Sequence, residues 1–250
     1  MSLVRVDDRD GIALVTIDRP PANAMDPQLL ADGLAALDDL VAAAPSAAVL
    51  TGSGGFFSGG ADLRVVPALP ADEQAEMARQ INRLFAGWYE FPRPLVCAVN
   101  GHAVAGGLIL ALCGDYRVVG ESGSFGLTEV KVGIPYPSMA MAVVHAELTA
   151  PVARRLTMLG RLYDAAGALE MGLFDEQVGD EAVLDRSLEM AAEYAALPAK
   201  TFEIVKRRLR AGVADSATKG LFGGAEMTGW ALDDAPDAAA TVLSNRRSDQ

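Results

Sequence analysis

Aromatic side chains make up only 6% of the 250 residues, and the whole chain carries two cysteines and two histidines. Against a hydrophobic content of 51%, so few rings imply a core of small side chains with closely approaching backbones. Cys97 and Cys113 lie in apolar stretches without metal-ligand spacing, so they read as small buried hydrophobes in a reducing cytoplasm. Two His and two Cys scattered along the chain offer no metal set. Cations are scarce too: 21 Lys and Arg face 33 Asp and Glu, a net charge of −12. Phosphate neutralisation needs a basic surface, so this balance argues against a nucleic-acid partner. The opening MSLVRVDDRDG lacks the apolar region and small-residue cleavage site of a secretory signal. One uncharged run, Pro94 to Gly114, has the 21 residues needed to cross a bilayer. It also holds Asn100, His102 and four glycines, which makes it a strand, a turn and a helix start, and no membrane partner is expected.

What is present is α/β patterning. Gly11 to Pro20 is a β-branched run ended by prolines, and Asp26 with Pro27 opens a helix striped by Leu30, Leu34, Leu37 and Val41. Ser46 to Gly52 and Pro94 to Val99 are short apolar runs without alternation, as in strands covered on both faces. Ala71 to Phe91 is a helix with Met77, Ile81, Leu84 and Trp88 on one side, and Gly106 to Gly114 is a buried helix. DYRVV and SFGLTEV are further strand candidates, and after Pro135 the pattern is mostly helical, with LPAK (Leu197 to Lys200) as a boundary before a helical tail. In that tail Lys200, Lys206, Arg207, Arg208 and Arg210 read as a solvated basic face, opposite an apolar face of Phe202, Val205 and Leu209.

Two glycine loops share one style. FSGGADL (Phe57 to Leu63) and NGHAVAGGLIL (Asn100 to Leu110) each follow a buried strand and precede apolar residues. Such a turn leaves backbone amides unpaired, and glycine lets a ligand oxygen reach them. The glycines equally suit tight turns alone. If the loops converge, the amides of Ala61 and Gly106 form a pair of donors for a developing oxyanion. GSGGFF does not match the dinucleotide fingerprint, and neither a Walker lysine nor G-x-S-x-G is present.

FSGGADL, then NGHAVAGG, then FGLTEVKVGIP, with the opening TIDRPPANAM, resembles the crotonase superfamily, the enoyl-CoA hydratase and isomerase family, over most of the chain. The resemblance implies a ββα spiral core over residues 1–197 and a helical trimerisation region over 198–250, assembled as a homotrimer or a dimer of trimers. It also implies an acyl-CoA thioester substrate and no cofactor beyond the coenzyme A that the substrate carries. The thioester oxygen would sit between the amides of Ala61 and Gly106. Backbone at Ala22, Ala24 and Leu63 would run along the CoA, with Gly60, Asp62, Ile109 and Tyr136 completing the substrate site. Basic residues of the tail would meet CoA phosphates.

Family hydratases carry two glutamates, at positions that here hold Ile109 and Glu129. Hydration of a 2-enoyl thioester divides water activation and proton delivery between two groups, whereas a double-bond shift needs one base. The resemblance therefore leans to the isomerase branch, with Glu129 as the base, its pKa raised by an apolar pocket. The rivals are a hydratase in which Glu121, Asp72 or Glu76 supplies a second acid, and a non-catalytic acyl-CoA-binding protein. Glu129 could alternatively be a surface charge on a strand. His102 is expected to hydrogen-bond to backbone at its turn, Asp62 to brace its loop, and Asp115 to tie to Arg117 or to neighbouring amides.

Overall fold

The computed structural model describes residues 2–218 and 240–241. Its main sheet has six strands in the order β1 (Val4–Arg9), β2 (Ile12–Ile17), β3 (Ala47–Gly52), β5 (Leu95–Val99), β7 (Tyr116–Val119), β9 (Glu176–Gln177). A smaller sheet stacks β4 (Phe56–Ser58), β6 (His102–Val104) and β8 (Phe125–Gly126) in parallel. Among the strands of the described residues only β1 and β2 pair antiparallel, through a two-residue turn at Asp10 and Gly11 with φ of 54° and 83°. That Asp-Gly turn is a strong hairpin signal, yet β1 escapes a hydropathy reading because its Arg and Asp residues leave most of it exposed.

The apolar runs without alternation are central strands. In β2, Ala13, Val15 and Ile17 face one core and Ile12 and Leu14 the other, and β3 divides the same way, with Ala48 and Leu50 against Ala47 and Val49. The first core is closed by α1 (Pro27–Ala43), α2 (Ala71–Tyr89) and α3 (Gly106–Leu112), and the second by α7 (Val183–Ala195). Asp26 caps α1 by accepting from the Leu29 amide at 2.8 Å, with Pro27 in the first turn.

Three successive units repeat one path: a long strand of the main sheet, a short strand of the small sheet, then a helix. These are β3–β4–α2, β5–β6–α3 and β7–β8–α4 (Ser138–Glu147). The repetition makes a ββα spiral, and it carries both glycine loops to the same end, just past β4 and β6. The uncharged run from Pro94 to Gly114 is accounted for by β5, β6 and α3, and no helix among the described residues is long and apolar enough to cross a membrane. SFGLTEV differs from its expected form: only Phe125–Gly126 is strand, and Glu129–Lys131 is a 3-10 turn. The ladder stops there because its partner β6 ends at Val104 and the chain turns at Ala105 into the next helix, leaving no strand for the residues after Gly126 to pair with.

Further helices among the described residues are α5 (Ala150–Leu159), α6 (Ala165–Glu170), α8 (Ala199–Leu209) and α9 (Val213–Thr218). Helix α8 meets expectation in part: Lys200, Arg207 and Arg208 are exposed and Phe202 is half-buried against Tyr194, but two cations and two apolar residues are exchanged. Val205 and Leu209 are 58% and 82% exposed, whereas Lys206 and Arg210 are buried against Asp115, at 2.6 and 3.1 Å. Arg210 further donates to the carbonyls of Tyr89, Cys113 and Gly114 and lies over the Tyr89 ring. Asp115 also accepts from the Leu95 amide, while Arg117 pairs instead with Asp175. Residues 219–239 and 242–250 of the expected trimerisation region lie outside the described residues.

Candidate active site

The two glycine loops meet. Gly60 has φ of 76°, and a β-carbon added there would stand 2.8 Å from both the Ala105 β-carbon and the Gly106 nitrogen. No side chain fits, so glycine is required by conformation and by space at once. The Gly60 carbonyl accepts from the Met25 amide at 2.7 Å, and the Asp62 amide donates to the Met25 carbonyl at 2.9 Å. This parallel bridge turns the intervening Ala61 amide the other way, toward the cavity side. In the second loop the turn is made by Ala105, a non-glycine residue at φ 54° and ψ −131°, held by its amide on the Gly126 carbonyl. Gly106 follows as the first residue of α3, where an amide has no partner within its helix. Among the described residues neither the Ala61 nor the Gly106 amide donates a hydrogen bond. Two unspent donors on touching loops are an arrangement that can receive an oxyanion.

A cavity of about 230 Å³ opens beside them. Pro20, Pro21, Ala22, Ala24, Leu63 and Arg64 line one part, and Ile81, Phe85, Val132, Ile134, Pro137 and Ala140 make an apolar remainder from α2, α4 and the segment after Glu129. Glu129 itself lines the cavity and is only 7% exposed. Its Oε2 has no hydrogen-bond partner among the described residues. Burial pushes its pKa up to about 7, against the weaker opposing pull of nearby backbone amides and of the neighbouring Tyr136 hydroxyl. A carboxylate that titrates near neutrality, buried and uncommitted, is suited to take and return a proton. The reading of Glu129 as a surface charge on a strand is thus corrected.

Asp62 is the other carboxylate at the cavity, and it is committed. Arg19 reaches it at 2.9 Å, reaches Asp26 at 2.9 Å, and donates to the Ala24 carbonyl at 3.1 Å. Arg19 thereby ties the Ala22–Ala24 backbone, the cap of α1 and the residue after Ala61 into one unit. Hydropathy and motif reading pass over Arg19; its signal was a cation in an otherwise apolar, proline-rich loop. Glu121, Asp72 and Glu76 do not line the cavity and are exposed, with Glu76 paired to Arg79.

Two nominated side chains stand behind the wall. Ile109 is fully buried in the core and does not line the cavity, because it follows the inward face of α3. The Tyr136 hydroxyl turns to the Leu127 and Thr157 carbonyls at 3.4 and 3.3 Å, and the ring packs against the core. Gly60 contributes space rather than surface. His102 stacks on Phe56, with ring centroids 4.5 Å apart, away from the cavity lining. Lys206 and Arg210 line a different cavity, with Tyr89, Phe91 and Glu203, so within this chain they do not face the Glu129 site.

Known proteins are similar in sequence and in fold. A probable enoyl-CoA hydratase of Mycobacterium avium is 34% identical over 185 residues, covering 74% of this chain and 72% of that protein. The mouse mitochondrial enoyl-CoA delta isomerase 1 is 29% identical over 221 residues, covering 87% and 76%. A solved Mycobacterium tuberculosis structure, described as an enoyl-CoA isomerase, superposes with a TM-score of 0.83 at 31% identity, covering 90% of this chain and 98% of the other. The profile of the enoyl-CoA hydratase/isomerase family matches residues 7–233. With its ββα spiral and paired glycine loops, the chain belongs to the enoyl-CoA hydratase/isomerase family of the crotonase superfamily.

Proposed function

We propose that this enzyme shifts the double bond of a 3-enoyl-CoA to give the conjugated 2-enoyl-CoA. The carboxylate of Glu129 removes a proton from C2, and the electron pair moves through the thioester to leave a dienolate whose oxygen accepts from the Ala61 and Gly106 amides. Each such donor is worth about 2.7–4 kcal/mol of transition-state stabilisation. The Glu129 carboxyl then returns its proton to C4, so no proton is gained or lost. CoA would lie along Ala22, Ala24 and Leu63. No added cofactor is needed, and we place the enzyme in the cytoplasm as a homotrimer or dimer of trimers.

One observation carries this reading. Glu129 is the single cavity-lining carboxylate, among the described residues, without a cationic partner. Hydration calls for a second positioned group, and the position where the hydratase pattern has its first glutamate is Ile109, apolar and outside the cavity. The hydratase reading is favoured by the description of the Mycobacterium avium relative, and the isomerase reading by that of the mouse relative. The test offers purified protein a 3-enoyl-CoA and a 2-enoyl-CoA of medium length, following conjugated-thioester absorbance and product mass. Conjugation without a change of mass, lowered about 10²–10⁴-fold by Glu129→Gln, is the expected result. Gain of one water from the 2-enoyl substrate with negligible isomerisation overturns it in favour of the hydratase. Thioester binding without either reaction, unchanged in Glu129→Gln, identifies a non-catalytic acyl-CoA-binding protein.

A further inference from the structure

An amide can receive an oxyanion only if its peptide unit is held at a fixed angle, and the Ala61 amide follows a residue that cannot hold itself. Gly60, at φ 76°, stands between two peptide units. The unit after it carries the Ala61 amide, and the carbonyl of that unit accepts from the Met25 amide at 2.7 Å. The unit before it carries the Gly60 amide, which among the described residues donates to no backbone carbonyl and is held by the Ser58 hydroxyl at 3.2 Å. Glycine has no side chain to restrict its dihedrals, so these two bonds, one on each side of its α-carbon, fix the direction of the Ala61 amide.

Ser58 is fully buried and does not line the Glu129 cavity. Its hydroxyl donates to the Asn23 carbonyl at 2.8 Å. Asn23 is buried too, and its side chain donates to the Ser53 and Phe56 carbonyls at 3.0 and 2.7 Å, which stitches the Ala22–Ala24 segment to β4. A hydroxyl whose proton is committed to a fixed acceptor turns its lone pairs elsewhere, here to the Gly60 amide. The same residue also meets the second loop. Ser58 pairs with Ala103 across β4 and β6, at a register shift between Phe56 and Ser58. A β-carbon on Gly107 would collide with the Ser58 carbonyl and lie 3.0 Å from the Ser58 β-carbon, so the start of α3 is seated directly on this serine.

We propose that Ser58 is the positioning residue of the oxyanion site: its hydroxyl aims the Ala61 amide, and its backbone sets where α3 presents the Gly106 amide. The inference rests on the two-amide reading of the thioester site and deepens it, since it holds whichever reaction Glu129 performs.

The test reads the thioester carbonyl directly. Saturated hexanoyl-CoA, isotopically labelled at the carbonyl carbon, has no double bond to shift or hydrate. Its C=O stretch is followed by infrared difference spectroscopy on the full-length protein, for wild type, Ser58→Ala, the near-isosteric Ser58→Cys and Ser58→Thr. Two well-aimed amides weaken the carbonyl bond, so wild type is expected to lower the stretching frequency below its value in water. Ser58→Ala and Ser58→Cys are expected to lose about half of that downshift, because one donor of the pair loses its aim, and to lower kcat for a 3-enoyl-CoA about 10²-fold with KM changed far less. Ser58→Thr keeps the hydroxyl, and a small cavity of about 20 Å³ beside Ser58 has room near its added methyl, so it is expected to recover most of the downshift. Ser58→Ala also strands a buried donor and a buried acceptor and should lower the urea midpoint. A lower midpoint with the carbonyl stretch left at its wild-type value makes Ser58 a folding residue only and overturns the inference. If Ser58→Ala does not fold, Ser58→Cys carries the comparison, since a thiol is a weak donor and acceptor. A loss in Ser58→Thr equal to that in Ser58→Ala or Ser58→Cys overturns the inference as well. A wild-type downshift without isomerisation of a 3-enoyl thioester overturns the isomerase reading alone. Wild-type binding with no downshift overturns the two-amide site and the role of Ser58 with it.

Discussion

Two largely enclosed carboxylates in this protein are treated in opposite ways. Asp115 is surrounded by Lys206 at 2.6 Å, Arg210 at 3.1 Å and the Leu95 amide at 2.8 Å, and it docks α8 onto the ends of β5 and α3. Glu129, no more exposed, has no counter-charge and keeps one oxygen without a partner. A chain that can place two cations around one carboxylate and leaves another bare is spending stability at the second position, as active sites do. Asp62 stands between the extremes, sharing Arg19 with Asp26.

Removing the carboxylate at the compensated site is expected to have the largest effect on stability. Asp115→Ala strands Lys206 and Arg210 in the interior and should cost about 3–5 kcal/mol, seen as a lower urea midpoint. Lys206→Met should cost far less, because Arg210 still answers Asp115 and burial already draws the lysine down to about 8. Equal losses from the two variants would erase the contrast between a paired and an overcharged cluster.

At the uncompensated site the effect depends on pH. Folded Glu129 titrates near 7 against an ordinary value of 4.5, so between those limits the folded state holds a proton that the unfolded state releases. Stability should therefore fall as pH rises from about 4.5 to about 7, by an amount on the order of 3 kcal/mol. Activity should rise toward the upper end of the same window, because the base must be ionised. Glu129→Gln should flatten the stability slope, measured as urea midpoints across that range, and a slope unchanged by the substitution would assign it to another group.

The smallest effect belongs to the shared site. Arg19→Met leaves Asp26 and Asp62 without their cation, and because Arg19 keeps 22% of its side-chain surface exposed, solvent screening holds the cost to about 1–3 kcal/mol. The loss should fall on kcat more than on KM, since the residue after Ala61 is released and the oxyanion donor loses its aim. Arg19→Lys should recover only part, having no planar fork to span two carboxylates. A pure KM effect would instead make Arg19 a binding residue.

How much of this was legible beforehand follows from which forces act locally. The β-branched runs of β2, β3 and β5, the Asp26 cap of α1 and the two glycine loops were readable because propensity, capping and turn sterics depend on near neighbours in the chain. Glu129 could be nominated by its place in the motif, but its burial could not, because the apolar residues that enclose it come from α2, α4 and the segment beyond it. Four residues of α8 and its C-cap were misread for the same reason, whereas Lys200, Arg207 and Arg208 are exposed as expected. The composition of the helix suits a solvated basic face, and only the position of Asp115 at the far end of the sheet turns Lys206 and Arg210 inward and leaves Val205 and Leu209 outside. The hairpin strand β1 was missed because charge masked a turn whose Asp-Gly pair did specify it.

By itself, then, the sequence determined the long buried strands, the helices between them and the glycines at the donor loops, which are properties of residue type and spacing, while the ββα spiral and the absence of one of two carboxylates were what its resemblance to a family implied. Only the tertiary structure decided that the loops touch, that Arg19 holds Asp62 and that Glu129 stands alone among apolar walls. These are distances between residues far apart in the chain, and desolvation, pairing and cavity shape depend on such distances rather than on the identities of the residues that create them.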